Sequence, residues 1–376
     1  MSVLITFVAA VFVFSAVIAI HEFGHFAVAK LCGIQVNEFS IGMGPVLWKK
    51  VRKGTQYSIR ALPVGGFVAL EGEESPESQQ AEAARAEQAE TEPQEEVPQP
   101  ETPGEKPCGI PLNEAPVWQR ALVMVAGAAM NFVLGFVVMV ILIAAQNEPI
   151  TSKVIYKVED GALCGQTGLQ AGDKVLAVNG RRCFVANDML YELMRTEDYA
   201  AAFTVLRDGQ KVELPRVQFD TWQDDGGETH MSLSFTVYGI RKTPLNVLKE
   251  AGNSVLYYGR IIFTSLLDLL RGRESINDLS GPVGIVTAIG QAASYGWQDL
   301  LELLVLITVN LGIFNLIPIP ALDGGKVVFL LIEGVTGHAV PEKIQSSLTL
   351  AAFVLLFGLM IFATYNDILR LITGAM

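Results

Sequence analysis

The sequence that decides the fold is the first apolar segment, VLITFVAAVFVFSAVIAIHEFGH, at residues 3–25. Its first 18 residues, up to Ile20, carry no charge, and a transmembrane helix needs about 18 or more such residues in a row. His21, Glu22 and His25 follow directly. An ionisable side chain at depth in a membrane helix costs roughly 2.5 to 3.5 kcal/mol and is rarely kept without a use. The segment therefore predicts a membrane helix that carries chemistry at one end.

The HExxH motif in this segment has the spacing of a zinc site. Residues four apart lie on one face of a helix, so the imidazoles of His21 and His25 can bind one tetrahedral Zn²⁺ ion. Glu22 projects beside them and can take a proton from the attacking water. The alternative, a pair of hydrogen-bonded core histidines, does not explain a glutamate inside a membrane helix. His230 and His338 lie in loop-like sequence without metal spacing, and we assign neither to the site.

Two histidines leave zinc short of a protein ligand, because hydrolytic sites usually have three protein ligands and a water. Asp323 is the candidate third ligand, in the stretch NLGIFNLIPIPALDGGKVVF at residues 310–329. Pro318 and Pro320 break the helix before it and leave the carboxylate in a bent segment. Asp323 could instead be the N-cap of a helix that starts near Gly324. An N-cap alone does not explain a carboxylate between two membrane-apolar runs.

The composition indicates a membrane protein. The chain has 376 residues, of which 51% are hydrophobic, too many for an ordinary soluble protein. Three further stretches meet the transmembrane criterion, at residues 121–145, 303–317 with their flanks, and 348–365. Residues 71–106 supply −10 of the net charge of −12, with twelve Glu against one Arg and one Lys. The acidic balance therefore describes one insert and indicates neither a cationic substrate nor a nucleic-acid partner.

Basic residues set the expected orientation. They cluster after the first span and before the second, which places this loop in the cytoplasm by the positive-inside rule: Lys30, Lys49, Lys50, Arg52, Lys53 and Arg120. Both termini and residues 153–299 are then expected outside, with Arg370 as one exception. The first span has no preceding Lys or Arg and no small-residue cleavage site after it. We expect it to stay in the mature protein.

Two regions lie between the first two spans. Residues 32–72 mix β-branched and aromatic residues with glycine turns, which predicts two or more short strands associated with the membrane interface. A small cytoplasmic sheet is the alternative. Residues 73–107 are rich in Glu, Gln, Ala and Pro, so they cannot bury enough apolar surface to offset their chain entropy. We expect a disordered cytoplasmic loop there.

Residues 152–217 resemble a PDZ domain of the bacterial protease-associated type, and the strands that follow extend this region to residue 240. Turn signals at Gly172-Asp173 and Asn179-Gly180 flank a predicted strand at residues 174–178, and the helical NDMLYELMRT follows. The resemblance implies either a groove for an extended peptide or a structural plug with an unused groove. Residues 243–272 fit an interfacial amphipathic helix. Cys164 and Cys183 fall on the side where a disulfide is permitted, although buried thiols are commoner.

HExxH on the first span, NLIPIPALDGG at residues 315–325 and a PDZ-like insert between the second and third spans together resemble the site-2 protease family. The resemblance implies His21, His25 and Asp323 as the ligands of one Zn²⁺ and Glu22 as the general base. It also implies that Asn310, Asn315 and Asn131 handle the substrate backbone, and that GGFVALEGE at residues 65–73 is a hairpin near the active site. This chain has Ala128 where the family usually has proline.

The expected fold is a polytopic α-helical membrane protein with four transmembrane helices, a membrane-associated β-hairpin region and one extracytoplasmic PDZ-like α+β domain. The expected segments are residues 1–31 (first span), 32–72 (β region), 73–107 (acidic loop), 117–146 (second span), 152–240 (PDZ-like domain and following strands), 243–272 (interfacial helix), 297–318 (third span), 319–337 (LDG segment and short helix) and 347–372 (fourth span).

The resemblance implies an intramembrane zinc metalloendopeptidase in the bacterial cytoplasmic membrane, which cleaves transmembrane segments of single-pass proteins such as anti-sigma factors or signal-peptide remnants. Its expected partners are these substrates, the lipid bilayer and a peptide ligand of the PDZ-like domain. The alternatives are another class of intramembrane zincin, which typically takes a Glu as third ligand, and a catalytically silent PDZ membrane scaffold.

Overall fold

A computed structural model describes residues 3–73, 109–196, 198–224, 226–273 and 275–373. The predicted acidic loop, apart from Glu73, lies outside the described residues. The helices are α1 (Val3–Leu31), α2 (Val117–Ala145), α3 (Leu163–Gln166), α4 (Ala186–Met194), α5 (Pro244–Leu270), α6 (Pro282–Tyr295), α7 (Trp297–Leu316), α8 (Asp323–Thr336) and α9 (Glu342–Thr373). The strands are β1 (Val36–Arg52), β2 (Thr55–Leu70), β3 (Ile150–Val158), β4 (Lys174–Val178), β5 (Arg181–Arg182), β6 (Ala200–Arg207), β7 (Gln210–Gln218), β8 (Asp220–Gln223), β9 (Thr229–Ser232) and β10 (Phe235–Ile240).

Within the described residues, four helices are long and apolar enough to cross a membrane, which confirms the predicted number of spans. They are α1, α2, α7 and α9. The chain divides into two compact units: residues 1–135 with 262–376, and residues 136–261. The first unit contains α1, the β1–β2 sheet and α6 to α9. The second contains the remaining strands.

Helices α1 and α2 approach each other closely at a glycine. A Cβ atom on Gly24 would lie 2.4 Å from the carbonyl oxygen of Ala126, a distance that no side chain could occupy. Small residues at such a crossing let two membrane helices pack backbone to backbone. The crossing lies within the HExxH turn, so this contact fixes the height of the motif against α2.

Strands β1 and β2 are 17 and 16 residues long, longer than the short strands expected from the glycine spacing. Residues 36–41 of β1 pair with two parts of β2, residues 66–70 on one side and residues 56–59 on the other. Residues 46–52 of β1 pair with residues 55–60 of β2. The chain reverses between these parts at Gly42, Gly44 and Gly65, which all have positive φ, a conformation that glycine adopts without a steric penalty. The sheet packs along α1.

A buried ion pair lies inside this sheet. Nη2 of Arg60 is 2.8 Å from Oε1 of Glu38, and the hydroxyl of Ser58 donates to the same oxygen at 2.7 Å. Nε of Arg60 donates to the hydroxyl of Ser40. Glu38 is completely buried, so these donors are what make the burial of its charge tolerable.

Helix α6 was not predicted from the sequence. It packs against α1, α7 and α9, and two of its contacts require glycine. A Cβ on Gly290 would lie 2.9 Å from the side chain of Thr6, and one on Gly284 would lie 2.9 Å from Oδ1 of Asp367. Asp367 of α9 is completely buried, and its Oδ2 accepts a hydrogen bond from the amide of Gly284 at 2.7 Å.

The second unit is built on one sheet with the strand order β10-β3-β4-β6-β7, and β5 pairs with β4. Its apolar core includes Ile155, Val175, Phe203 and Phe219. Asn179 and Gly180 both have positive φ and join β4 to β5 in a tight turn, as their sequence predicts. Cys164 and Cys183 are both buried and free, so the disulfide alternative is not formed.

Arg260 of α5 connects to α4 within the second unit. Its Nη2 bonds Oδ1 of Asp188, and its Nη1 donates to the carbonyl oxygen of Arg182. Asp188 is completely buried and also accepts the amide of Val185 with Oδ2 at 2.8 Å, at the start of α4. One carboxylate therefore both caps α4 and holds it to α5.

Candidate metal centre

Three side chains from α1 and α8 converge on one point. Oδ2 of Asp323 lies 3.2 Å from Nε2 of His21 and 3.4 Å from Nε2 of His25, and the two Nε2 atoms are 3.2 Å apart. Both histidines are buried and Asp323 is nearly so. The structure thus brings together residues that are far apart in the sequence, as the HExxH and LDGG motifs predict.

The turn before α8 positions Asp323. A Cβ atom on Gly324 would lie 2.3 Å from the carbonyl oxygen of Ile317, and one on Gly325 would lie 2.2 Å from that of Ile319. The chain between α7 and α8 therefore folds back directly onto the two glycines. Asp323 is the first residue of α8, and the residue before it, Leu322, makes no side-chain cap. The carboxylate is turned toward the histidines instead of toward its own helix end.

The donor set fits zinc. A tetrahedral Zn²⁺ with ligand bonds of about 2.0 to 2.1 Å requires its donor atoms to stand about 3.3 Å apart, and the three separations are 3.2, 3.2 and 3.4 Å. Oδ2 of Asp323 is buried and has no hydrogen-bond donor. A buried carboxylate oxygen without a donor would be costly, and a metal ion removes that cost. Two histidines and one aspartate also leave a fourth position open, as hydrolytic zinc sites do.

A hydrogen bond fixes the tautomer of His25. Its Nδ1 lies 2.8 Å from the carbonyl oxygen of Val123 on α2. A carbonyl only accepts, so Nδ1 carries the proton and Nε2 presents its lone pair to the site. Metal-binding histidines are usually held in this way from their second nitrogen.

Asn131 of α2 plays the same part for His21. Its side-chain nitrogen lies 3.2 Å from Nδ1 of His21, and its Oδ1 is buried without a partner. Because Nε2 of His21 faces the site, Nδ1 carries the proton and needs an acceptor. Turning the amide by half a turn places the oxygen against Nδ1 and satisfies both groups. We therefore assign the amide with its oxygen toward His21.

Gly127 leaves the room that the two imidazoles occupy. A Cβ atom there would lie 2.3 Å from Nε2 of His25 and 2.7 Å from Cε1 of His21. Gly127, Asn131 and Gly135 recur every four residues along α2 and so share one face of that helix. The structure shows that two of these residues face the metal centre itself.

A cavity of about 70 Å³ opens beside the three ligands. Glu22 lines it, as do Val68 and Leu70 of β2. A Cβ atom on Gly66 would lie 3.7 Å from Cγ of Glu22, so the second half of β2 passes next to the predicted general base. The position of GGFVALEGE beside the site agrees with the resemblance stated above.

Glu73, the last residue of GGFVALEGE, and Lys326 also line this cavity, and of the two only Lys326 was not expected near the site. Nζ of Lys326 is 2.8 Å from Oε1 of Glu73. Lys326 lies three residues after Asp323 in α8, so the two side chains share a face of that helix. That spacing is a signal that could have placed Lys326 near the site.

The predicted asparagines occupy three different environments. The side-chain nitrogen of Asn315 lies 3.3 Å from Nε2 of His21, at the edge of the ligand cluster. Asn131 is completely buried, and Asn310 is exposed on α7. The structure thus places Asn131 and Asn315 against His21, whereas the exposed Asn310 lies more than a helical turn before Asn315.

A second group of metal-type side chains lies at the β8–β9 turn of the second unit: Asp224, Glu228 and His230. Nε2 of His230 is 3.1 Å from Oδ2 of Asp224, whose Oδ1 accepts the amides of Gly226 and Glu228. These bonds close the turn and satisfy the carboxylate. We do not assign a metal to it.

With this geometry established, similarity to known proteins identifies the family. The model of peptidase family M50 matches residues 9–359. The chain belongs to peptidase family M50. Among curated M50-type relatives, the zinc metalloprotease RasP of Shouchella clausii is 30% identical, covering 99% of this chain and 100% of its own length. The zinc metalloprotease RasP of Bacillus licheniformis is 30% identical, and the regulator of sigma-W protease RasP of Bacillus subtilis is 29% identical, each covering 97% of this chain and 99% of its own length.

Family membership and the four apolar helices together make this chain a membrane zinc metalloprotease of the site-2 type. The buried cluster of His21, His25 and Asp323 is the one place in the described residues where the donor set of such an enzyme is assembled without hydrogen bonds that already satisfy it. The M50 assignment implies a zinc ion, and the geometry of this cluster suits one.

Proposed function

We propose that this chain binds one Zn²⁺ ion through His21, His25 and Asp323 and cleaves a peptide bond in the transmembrane segment of a single-pass membrane protein. The observation that carries the proposal is that three donor atoms lie 3.2 to 3.4 Å from one another. Two of them belong to α1, a helix that is long and apolar enough to span a membrane. A metal centre held by a membrane-spanning helix meets its substrates inside the bilayer.

Each residue of the site has a chemical task. Zn²⁺ bound there supplies a Lewis acid that polarises the scissile carbonyl and lowers the pKa of water. The carboxylate of Glu22 takes the proton of the attacking water and delivers it to the leaving amine. The hydrogen bond from His25 to Val123 keeps the imidazole oriented. The buried Asn131 does the same for His21, so we propose a positioning role for it instead of contact with substrate.

A transmembrane substrate must unwind before it can react, because the hydrogen bonds of a helix shield its scissile bond. Asn315, next to Nε2 of His21, can pair with the freed backbone groups near the site. Asn310 is exposed on the same helix and can contact the substrate farther along. Interhelical hydrogen bonding is the alternative role for both residues.

We further propose that the β1–β2 sheet faces the cytoplasm and that both termini and the second unit lie outside the cytoplasmic membrane of a bacterium. The basic residues after α1 support this orientation. Met194 of α4 is 86% exposed, so a Met194→Cys variant should react with a membrane-impermeant maleimide added to intact cells, whereas Lys50→Cys should not. The opposite labelling would reverse the topology.

The second unit is proposed to be a PDZ-like domain that takes an extended peptide. Strand β10 lies at one end of its sheet, and an end strand can add a peptide through backbone hydrogen bonds. The name of the Bacillus subtilis relative, regulator of sigma-W protease, supports anti-sigma factors as a substrate class. If removing the outer segment of a model substrate did not affect cleavage, this domain would not select substrates by binding that segment.

The protease proposal is tested with the full chain reconstituted in lipid vesicles with a single-pass model substrate. Wild type should cleave it, and Glu22→Gln should retain zinc but lose at least about 100-fold in rate, since general acid-base catalysis contributes that much. Glu302→Gln on the exposed side of α7 is the matched control and should cleave like wild type. Equal cleavage by wild type and Glu22→Gln would refute the mechanism. Zinc retention without cleavage of any substrate would favour the silent scaffold.

The ligand set is tested by metal content. Asp323→Ala removes a donor that lies 3.2 Å from His21, so zinc should be lost to a chelator at a concentration that leaves wild type loaded. Unchanged retention would place the third ligand elsewhere.

A further inference from the structure

A second cavity, of about 310 Å³, lies at the end of α1 that follows the metal motif. We call it the basic pocket; it is lined by Lys30, Gly33, Ile34, Arg52, Lys53 and Tyr57. It belongs entirely to the first unit. It shares no lining residue with the metal cavity, so the protease reaction does not explain it.

The walls of the basic pocket are held in place by buried contacts. The side-chain amide of Gln35 donates to the carbonyl oxygen of Gly54 at 2.7 Å, and the hydroxyl of Thr55 donates to that of Val36 at 2.7 Å. These two bonds fasten the β1–β2 turn to the chain that leaves α1. The ring of Tyr57 packs against Phe26 and Phe39, with ring centroids 5.8 and 6.5 Å away.

The turn itself presents two cations to the pocket. Lys53 has φ 51° and Gly54 has φ 69°, the pair of left-handed residues that a two-residue type I′ hairpin turn requires. Arg52 and Lys53 are both exposed, and Lys30 of α1 is half-buried beside them. Three cationic side chains around one concave space favour an anion, and a guanidinium with two ammonium groups suits a phosphate group.

Exposed apolar side chains lie near the cations of the basic pocket. Leu31, next to Lys30, is 85% exposed, and Trp48, on the same face of β1 as Arg52, is 51% exposed. Exposed aliphatic and indole side chains next to cations are typical of the boundary between lipid tails and headgroups. The end of a membrane-spanning helix lies at this boundary. A lipid whose phosphate occupies the pocket would also cover these side chains with its acyl chains, which a free phosphate could not do.

We propose that the basic pocket binds the phosphodiester headgroup of an anionic phospholipid, with its acyl chains against Leu31 and Trp48. The headgroup contacts Arg52 and Lys53 of the turn and Lys30 of α1, and the phenol of Tyr57 can donate to the same phosphate. Bound lipid thus ties the β1–β2 turn to the membrane surface. In the topology proposed above, this surface is the cytoplasmic leaflet.

The test compares two double variants of the full chain in detergent micelles. Arg52→Gln with Lys53→Gln removes two cations of the pocket. Lys49→Gln with Lys50→Gln removes two exposed cations of the same strand that do not line it. Native mass spectrometry follows the adducts formed during a titration with dioleoyl phosphatidylglycerol. A charge-assisted hydrogen bond to a phosphate contributes about tenfold or more to binding, so the pocket variant, which loses two of them, should bind about 100-fold more weakly. The control removes cations that do not line the pocket and should stay within about fivefold of wild type.

Two further arms identify the occupant. Dioleoyl phosphatidylcholine should bind far more weakly than phosphatidylglycerol, and inorganic phosphate in the millimolar range should not displace the lipid. Equal weakening in both double variants would show a diffuse positive surface and overturn the proposal. Displacement by inorganic phosphate would show a site for a free anion and would also overturn it. Because lipid adducts are measured without any substrate, these outcomes do not depend on the protease proposal.

Discussion

The side-chain amide of Asn131 lies 3.2 Å from Nδ1 of His21, on the side of the imidazole that faces away from Asp323, and we assign its oxygen to that contact. An asparagine of α2 therefore sets the orientation of a residue of α1. The first prediction follows from this contact.

Asn131→Ala should weaken zinc binding by about 10- to 100-fold, because partners that orient a metal-binding histidine contribute that much. The expected readout is zinc loss at a lower chelator concentration. Asn310→Ala changes an exposed asparagine and should retain zinc like wild type. If Asn131→Ala lowered cleavage but left zinc affinity unchanged, the residue would act on substrate instead.

Gly127→Ala should abolish the metal centre. Its methyl group would lie 2.3 Å from Nε2 of His25, so either the imidazole or α2 must shift, and a misplacement of about 1 Å can cost about 100-fold in rate. Cleavage should fall by at least that factor, with loss of zinc. Gly358→Ala is the matched control in a membrane helix, because a Cβ atom there meets nothing within 4 Å. Normal cleavage by Gly127→Ala would contradict the geometry of the site.

Arg260→Ala should destabilise the second unit by about 3 to 5 kcal/mol, because it leaves the buried Asp188 without its cationic partner. Thermal unfolding and limited proteolysis of the full chain measure the effect. Arg216 offers a control, since its pair with Asp198 has both side chains more than half exposed. Arg216→Ala should change neither measurement. Equal effects of the two variants would show that the buried ion pair contributes no more to stability than the exposed one.

Cys183 should resist alkylation in the folded protein. Burial, with a smaller contribution from the nearby Asp188, raises the pKa of its thiol to about 12, so the reactive thiolate is scarce at ordinary pH. In the unfolded chain the thiol ionises from about pH 8.5. The folded state thus holds a proton that the unfolded state releases, and this thiol makes folding less stable as the pH rises from about 9 to 12. Iodoacetamide at pH 8 should modify Cys183 only after denaturation; fast modification of native protein would contradict its burial.

Asp367→Ala should lower stability by about 1 to 3 kcal/mol, because it leaves the buried amide of Gly284 without an acceptor. Asp367→Asn keeps an oxygen for that amide and should lose less. Thermal unfolding in detergent distinguishes the two variants. If Asn and Ala had the same effect, the hydrogen bond between α6 and α9 would not contribute.

Local patterns were enough to predict the four spans and the chemistry of the HExxH turn. The spacing of His21 and His25 is a property of one helix. The turn residues around β4 determine the backbone only of the few residues next to them. Asp323 could be predicted because two prolines and two glycines mark an irregular segment between apolar runs. Its distance from the histidines could not, since that depends on how α8 packs against α1.

Other features depend on contacts that no local pattern reveals. Helix α6 contains Gly284 and Gly290 because Asp367 and Thr6 pack against them, and these glycines weaken its helical signal. The role of Gly127 is equally hidden, because its partners are the imidazoles of another helix. The pairing within β1 and β2 could not be predicted either, since the glycines mark where the chain reverses but not which segments then lie side by side.

The position of the β1–β2 sheet bears on how water, the second reactant of hydrolysis, reaches the site. The hydroxyl of Ser15, halfway along α1, bonds the carbonyl oxygen of Pro63, whereas the turn at Gly54 is fastened beyond the end of that helix. The sheet therefore runs back along α1 for about 24 Å at a rise of 1.5 Å per residue. Residues 46–52 have a paired strand segment on one side only among the described residues. Backbone amides at such an edge are stable at membrane depth only where protein or solvent meets them. We infer that water meets this edge from the membrane boundary, where residues 46–52 join the turn at Gly54, and that the sheet is a route by which the water consumed in each cleavage can reach an otherwise apolar environment.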